Sequence, residues 1–92
     1  MSPNLPEPVF CFSVLSDAQP SALCRVFDVL SVHGVVPTRC HAELAAGGLL
    51  AIDLQVAGVA AELAERLARR LERVISVSHV LVSEKQLLEH AA

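Results

Sequence analysis

The chain has 92 residues and a mass of 9.8 kDa, which predicts one small domain rather than two. Hydrophobic residues make up 53% and charged residues 18%, with a mean hydropathy of +0.53, so disorder is excluded over most of the length. Formal net charge is −3, with no Trp or Tyr and only three Phe, which excludes a nucleic-acid binder working through a basic footprint and stacking aromatics.

Residues 1–8 (MSPNLPEP) hold three prolines and no basic residue. They are expected to form an extended leader, and they lack the basic start of a signal peptide. The run from Val9 to Leu15 (VFCFSVL) is β-branched, aromatic and followed by turn signals, which predicts a strand. Phe10, Phe12 and Val14 fall on one side of it, Val9, Cys11, Ser13 and Leu15 on the other. Both sides are largely apolar, as a central strand requires. Ser16–Gln19 reads as a polar turn, and Pro20 suits a first helical turn. From Pro20 to His33 the apolar positions Ala22, Leu23, Val26, Phe27 and Leu30 keep helical spacing. Gly34 fits the left-handed position beyond a helix end, and Pro37 leads the chain into a new strand.

Thr38–Leu44 (TRCHAEL) alternates weakly and is the most polar strand candidate. Gly47 and Gly48 supply the positive φ of a hairpin, and Leu49–Val56 alternates well, with Leu50, Ile52, Leu54 and Val56 on one face. Val59–Val74 is the clearest helix, with a stripe of Leu63, Leu67, Leu71 and Val74. It holds four of the seven basic residues and nets +1 against −4 for the rest, and Glu62–Arg66 and Glu65–Arg69 have favourable i,i+4 spacing. This reads as a solvated mixed-charge face. Ser76–Val82 is a last strand, and residues 83–92 are expected to be a tail with room for a short helix. The order β-α-β-β-α-β predicts an α+β, ferredoxin-like sandwich: a four-stranded antiparallel sheet in order 4-1-3-2 with two helices on one face. The domain is expected to span residues 9–84. So much apolar surface on so small a core implies a buried subunit interface.

Cys11, Cys24 and Cys40 are an odd set without a CxxC, so no disulfide framework is expected. No apolar run nears 18 residues, which argues against a membrane span and leaves a cytoplasmic protein as the default. His33 falls at a helix end, where a cation suits the dipole, and His41 and His79 fall in strands, with His90 in the tail. No spacing joins any of them to a serine or cysteine nucleophile. Cys40 and His41 are neighbours on a strand and point to opposite faces, so no metal site is expected. Gly47-Gly48 lacks the following Lys and helix of a phosphate loop. No catalytic residue, metal or cofactor is therefore expected. The join of the first strand and first helix is the positive signal, because N–H groups at a helix start attract carboxylates.

Ser13 to Gly34, with Ala22-Leu23, Arg25-Val26-Phe27 and Gly34 in order, resembles the opening of an ACT domain, most of all in the small regulatory subunits of acetolactate synthase. Leu71 to Val80 (LERVISVSHV) is similar to the end of that domain, so the likeness covers about residues 9–84. The resemblance implies a homodimer whose sheets join edge to edge. It implies an amino-acid effector held between the first turn of one chain and the second-strand region of the other. Carried over by position, the effector-binding residues are Asp17, Ala18, Gln19, Ser21, Val36 and Pro37. Ala18 and Ser21 stand where the family typically has Asn and Gly, and Val36 where it often has Asn. Asp17 would favour an ammonium group and repel a carboxylate. The function implied is that of a non-catalytic regulatory subunit in branched-chain amino acid biosynthesis, with a thiamine-dependent catalytic subunit as partner. Thiamine diphosphate, flavin and magnesium would belong to that partner. A stand-alone dimer sensing an amino acid, and a small metal carrier or enzyme on a ferredoxin-like fold, are the alternatives. No nucleic-acid or membrane partner is expected.

Overall fold

The computed structural model describes residues 8–86. The expected leader (residues 1–7) and the end of the expected tail (residues 87–92, with His90) lie outside the described residues. The elements are β1 (Pro8–Asp17), α1 (Ala22–Val32), β2 (Arg39–Ala45), β3 (Leu49–Ala57), α2 (Ala61–Glu72) and β4 (Val77–Gln86). The strands form one antiparallel sheet in the order β2-β3-β1-β4, which is the expected ferredoxin-like topology. Among the described residues no helix is long and apolar enough to cross a membrane.

Alternation decides the core. Phe10, Phe12 and Val14 of β1 and Leu50, Ile52, Leu54 and Val56 of β3 turn to the helix side and are buried. Ala22, Val26 and Leu30 of α1 and Ala64, Leu67 and Leu71 of α2 close over them, each stripe repeating at three to four residues. The last apolar position on β1 is replaced by Ser16, which is fully buried. Its hydroxyl donates to the Asp17 carbonyl at 2.9 Å and lies 3.0 Å from the hydroxyl of buried Ser76. Each hydroxyl has one proton, so both oxygens are served when Ser76 donates to Ser16 and Ser16 to the carbonyl. The pair coincides with a register irregularity between β1 and β4 at Leu15/Ser16.

The helix ends follow from the sequence. Gly34 has φ +69°; its N–H bonds the Ser31 carbonyl at 3.0 Å and the Val35 N–H bonds Leu30 at 2.9 Å. That is a Schellman end, with buried Val35 packed against the core that holds Leu30. His33 Nδ1 lies 2.8 Å from the Val29 carbonyl; a carbonyl only accepts, so this nitrogen carries the proton.

Two expectations change. Strand β4 runs to Gln86, so residues 83–86 are strand and not tail: Ser83, Glu84 and Lys85 pair with Cys11, Phe10 and Val9. A central strand needs partners on both sides, and β1 begins at Pro8, so β4 must continue as far. On the outer side of β1, Val9 is buried and Cys11 and Leu15 are half-buried, while Ser13 is exposed and its Oγ donates to the Asp53 carboxylate at 3.2 Å. Finally, the spaced pairs on α2 do not close: among the described residues no Lys or Arg lies within ion-pair distance of a carboxylate, and the one close contact of this kind is His41 with Glu43 at 2.9 Å. Exposed pairs gain too little to hold two long side chains in one geometry.

Candidate functional site

The six residues expected to bind an effector fall at two places. Asp17, Ala18, Gln19 and Ser21 form the β1–α1 turn. It is fixed by backbone bonds from Asp17 N–H to the Ser76 carbonyl (2.8 Å), from Ala18 N–H to Gly48 (3.0 Å) and from Ala22 N–H to Gln19 (3.0 Å). The turn therefore sits beside the β2–β3 hairpin. The Ser21 side chain makes no capping bond, and no acidic residue lies in the first turn of α1. That end of the helix keeps its partial positive charge and open N–H groups. Val36 and Pro37 lie at the other end of α1, roughly 16 Å away for 11 residues at 1.5 Å each. Val36 is 83% exposed. Within one chain the two groups cannot share a small ligand.

Strand β2 is exposed at every position. Its register with β3 places Arg39, His41 and Glu43 on the open face of the sheet and Cys40, Ala42 and Leu44 on the helix side. Cys40 and His41 thus point apart, as alternation requires. Leu44 is 74% exposed although it faces the helix side, so α1 does not reach over this strand. Helical spacing places Leu23 and Phe27 on one flank of α1, with Arg25 and Val29 on the other, where they line a hollow shared with α2. Phe27 therefore looks away from α2, toward the β2 edge. Cys40 is exposed, and the slight burial of its sulfur pushes the thiol above its usual value.

On the open face a hollow of about 370 Å³ is lined by Cys11, Arg39, His41, Asp53 and Gln55. Two of its groups are held by neighbours outside the lining: Asp53 accepts from the Ser13 hydroxyl at 3.2 Å, and His41 Nε2 lies 2.9 Å from Glu43 Oε1. Among the described residues no hydrogen bond joins a histidine to a serine or cysteine. No three of His, Cys, Asp or Glu come together in a metal-binding group there either. Sequence reasoning did not join these residues into one polar row; the signal was Arg39, His41 and Glu43 alternating along β2 and Asp53 and Gln55 along β3.

Residues 7–89 match the family of ACT-like domains. The chain belongs to that family. ACT-like domains are generally regulatory. Solved structures agree on the fold. The ACT domain of a GTP pyrophosphokinase from Chlorobium tepidum is 13% identical and superposes with a TM-score of 0.72, covering 84% of this chain and 99% of that one. The C-terminal domain of the MgtC protein from Mycobacterium tuberculosis is 13% identical with a TM-score of 0.69, over 99% of this ACT-like chain and 100% of that one. An uncharacterised protein of Thermotoga maritima is 12% identical with a TM-score of 0.64, over 89% and 99%. Among curated proteins, none matches this ACT-like chain.

Proposed function

We propose that this ACT-like domain is a non-catalytic regulatory protein that works as a homodimer joined along β2. The observation that carries the reading is the β2 edge itself. Every residue of the strand is exposed, and Ala42 and Leu44 face the helix side with no helix over them. A strand edge with free backbone groups and an uncovered apolar side is a template for pairing. Antiparallel pairing of two such strands about a two-fold axis builds an eight-stranded sheet, and it covers Leu44 and Phe27 from the other protomer's side.

The same operation supports an effector site. The end of β2 lies beside the Asp17–Ser21 turn, because Ala45 pairs with Leu49 and Leu49 with Asp17. Antiparallel pairing brings the start of the second β2, with Val36 and Pro37, toward that turn. An amino acid seated there has its carboxylate at the uncapped start of α1 and its ammonium group near Asp17. The enzyme regulated is, on the resemblance of the first strand and helix, an acetolactate synthase, which brings its own thiamine diphosphate.

Sedimentation equilibrium tests the dimer: the expected result is a concentration-dependent dimer that Leu44→Lys dissociates. A monomer at every concentration sinks the reading. A thermal shift with each of the twenty amino acids tests the effector, since a ligand bound only to the folded state raises stability with its concentration. Recovery from lysate without any acetolactate synthase counts against the named partner and leaves the dimer standing.

A further inference from the structure

The start of α1 lies beside the end of α2, and the two helices leave a hollow of about 370 Å³ between them on the outer surface. Arg25 from α1 and Arg70 and Arg73 from the C-terminal end of α2 line it together with Asp28. Val29, Val74 and Ile75, the last 86% exposed, supply its apolar lining. None of the three guanidinium groups is within ion-pair distance of a carboxylate among the described residues. Three unpaired cations against one acid leave the hollow with a net charge of about +2. The negative end of the α2 dipole accounts for arginines at positions 70 and 73. It does not account for Arg25, which another helix brings to the same place. The hollow is on the α2 flank of α1, opposite Phe27, so it stays open when β2 pairs.

We propose that this hollow binds a phosphate-bearing small molecule, with the three arginines on its phosphate oxygens and its apolar part against Val74 and Ile75. A guanidinium fork matches phosphate oxygens in pairs, and its weak hydration lowers the cost of the contact. A lone carboxylate satisfies one fork; three forks call for a multivalent anion. The volume is at the lower end of the range for small-ligand sites, about 300–1,000 Å³. A bare anion leaves Ile75 in water, whereas a ligand with an organic part covers it.

Titration of isotope-labelled full-length protein with inorganic pyrophosphate and with adenosine diphosphate, both free of metal, tests this. The expected result is saturable movement of the side-chain N–H signals of Arg25, Arg70 and Arg73, with the Ile75 methyls moving for the nucleotide. Arg70→Gln and Arg73→Gln each weaken binding about tenfold. Asp28→Asn tightens it. Arg66→Gln, one turn away on the same helix and outside the hollow, changes it little. No saturable response at roughly 10 mM ligand overturns the proposal, as does equal loss in the Arg66 and Arg70 variants, which marks diffuse charge attraction only. Pyrophosphate binding with no gain for the nucleotide overturns the apolar half. The variants are surface changes, and unchanged circular dichroism keeps the comparison fair.

Discussion

Strands β2 and β3 are joined by a short hairpin and paired residue for residue from Arg39–Gln55 to Ala45–Leu49. They differ in almost everything else. On the helix side β3 buries Leu50, Ile52, Leu54 and Val56, the last three completely, while β2 offers Cys40, Ala42 and Leu44 to solvent. Leu54 and Cys40 are direct partners across the ladder, so hydrogen bonding is not the difference. The difference is what lies above. Two helices form a layer that covers β3 and β1 and stops short of the β2 edge. Backbone pairing places a strand in a sheet; cover by a second layer decides whether its side chains stabilise the fold or wait for a partner.

The sharpest way to break that contrast is to truncate a leucine on each strand. Leu54→Ala leaves a cavity under both helices and is expected to cost about 2–5 kcal/mol by urea denaturation. Leu44→Ala, at low protein concentration, is expected to change stability by no more than about 0.5 kcal/mol. Equal losses would mean that β2 is covered after all. The next effect is at the buried end of β1. Ser16→Ala strips the partner from the Ser76 hydroxyl and is expected to cost about 1–3 kcal/mol, with Ser16→Ala/Ser76→Ala together costing less than the two separate losses added. A smaller loss is expected where the chain leaves the helix layer for the exposed edge. Gly34 has φ +69° and open space around a built Cβ, so Gly34→Ala brings only the left-handed penalty of about 1–2 kcal/mol. It should leave the m-value unchanged.

The covered part of the molecule was legible in the sequence, and the uncovered part was legible only as pattern. Phe10-x-Phe12-x-Val14 and Leu50-x-Ile52-x-Leu54-x-Val56 name their buried faces, because alternation is strong where one side is dry. Gly34 marks the end of α1 because no other residue takes that φ cheaply. Thr38–Leu44 alternates weakly, and the weakness is itself the physical signal: neither side of β2 is buried within one chain. Ser83, Glu84 and Lys85 read as tail because their side chains are polar, yet the backbone of β1 needs them. The candidate site divides the same way. Asp17–Ser21 is visible as a turn from its composition, whereas its distance from Val36 and Pro37 depends on the length of α1 and on a second chain. From the sequence the arginines of α2 read as a solvated mixed-charge face, since only the packing of two helices brings Arg25 to Arg70 and Arg73.

The finest test uses the thiol on the exposed strand. Cys40 is exposed, yet the slight burial of its sulfur within the chain holds its proton above the usual thiol value. At any given pH below that value less thiolate is present than in the unfolded chain, so alkylation by iodoacetamide is expected to be slower in the folded protein and to catch up only as pH rises. The linkage has the same sign: the folded chain binds this proton more tightly than the unfolded one, so its contribution to stability is lost as pH rises through the raised value. Pairing along β2 would add to the cover. Protection of Cys40 is therefore expected to deepen as protein concentration rises, while Cys24, exposed on α1, labels at one rate throughout. Protection of Cys40 that ignores concentration would leave β2 an unpaired edge and assign the shifted thiol to the single chain alone.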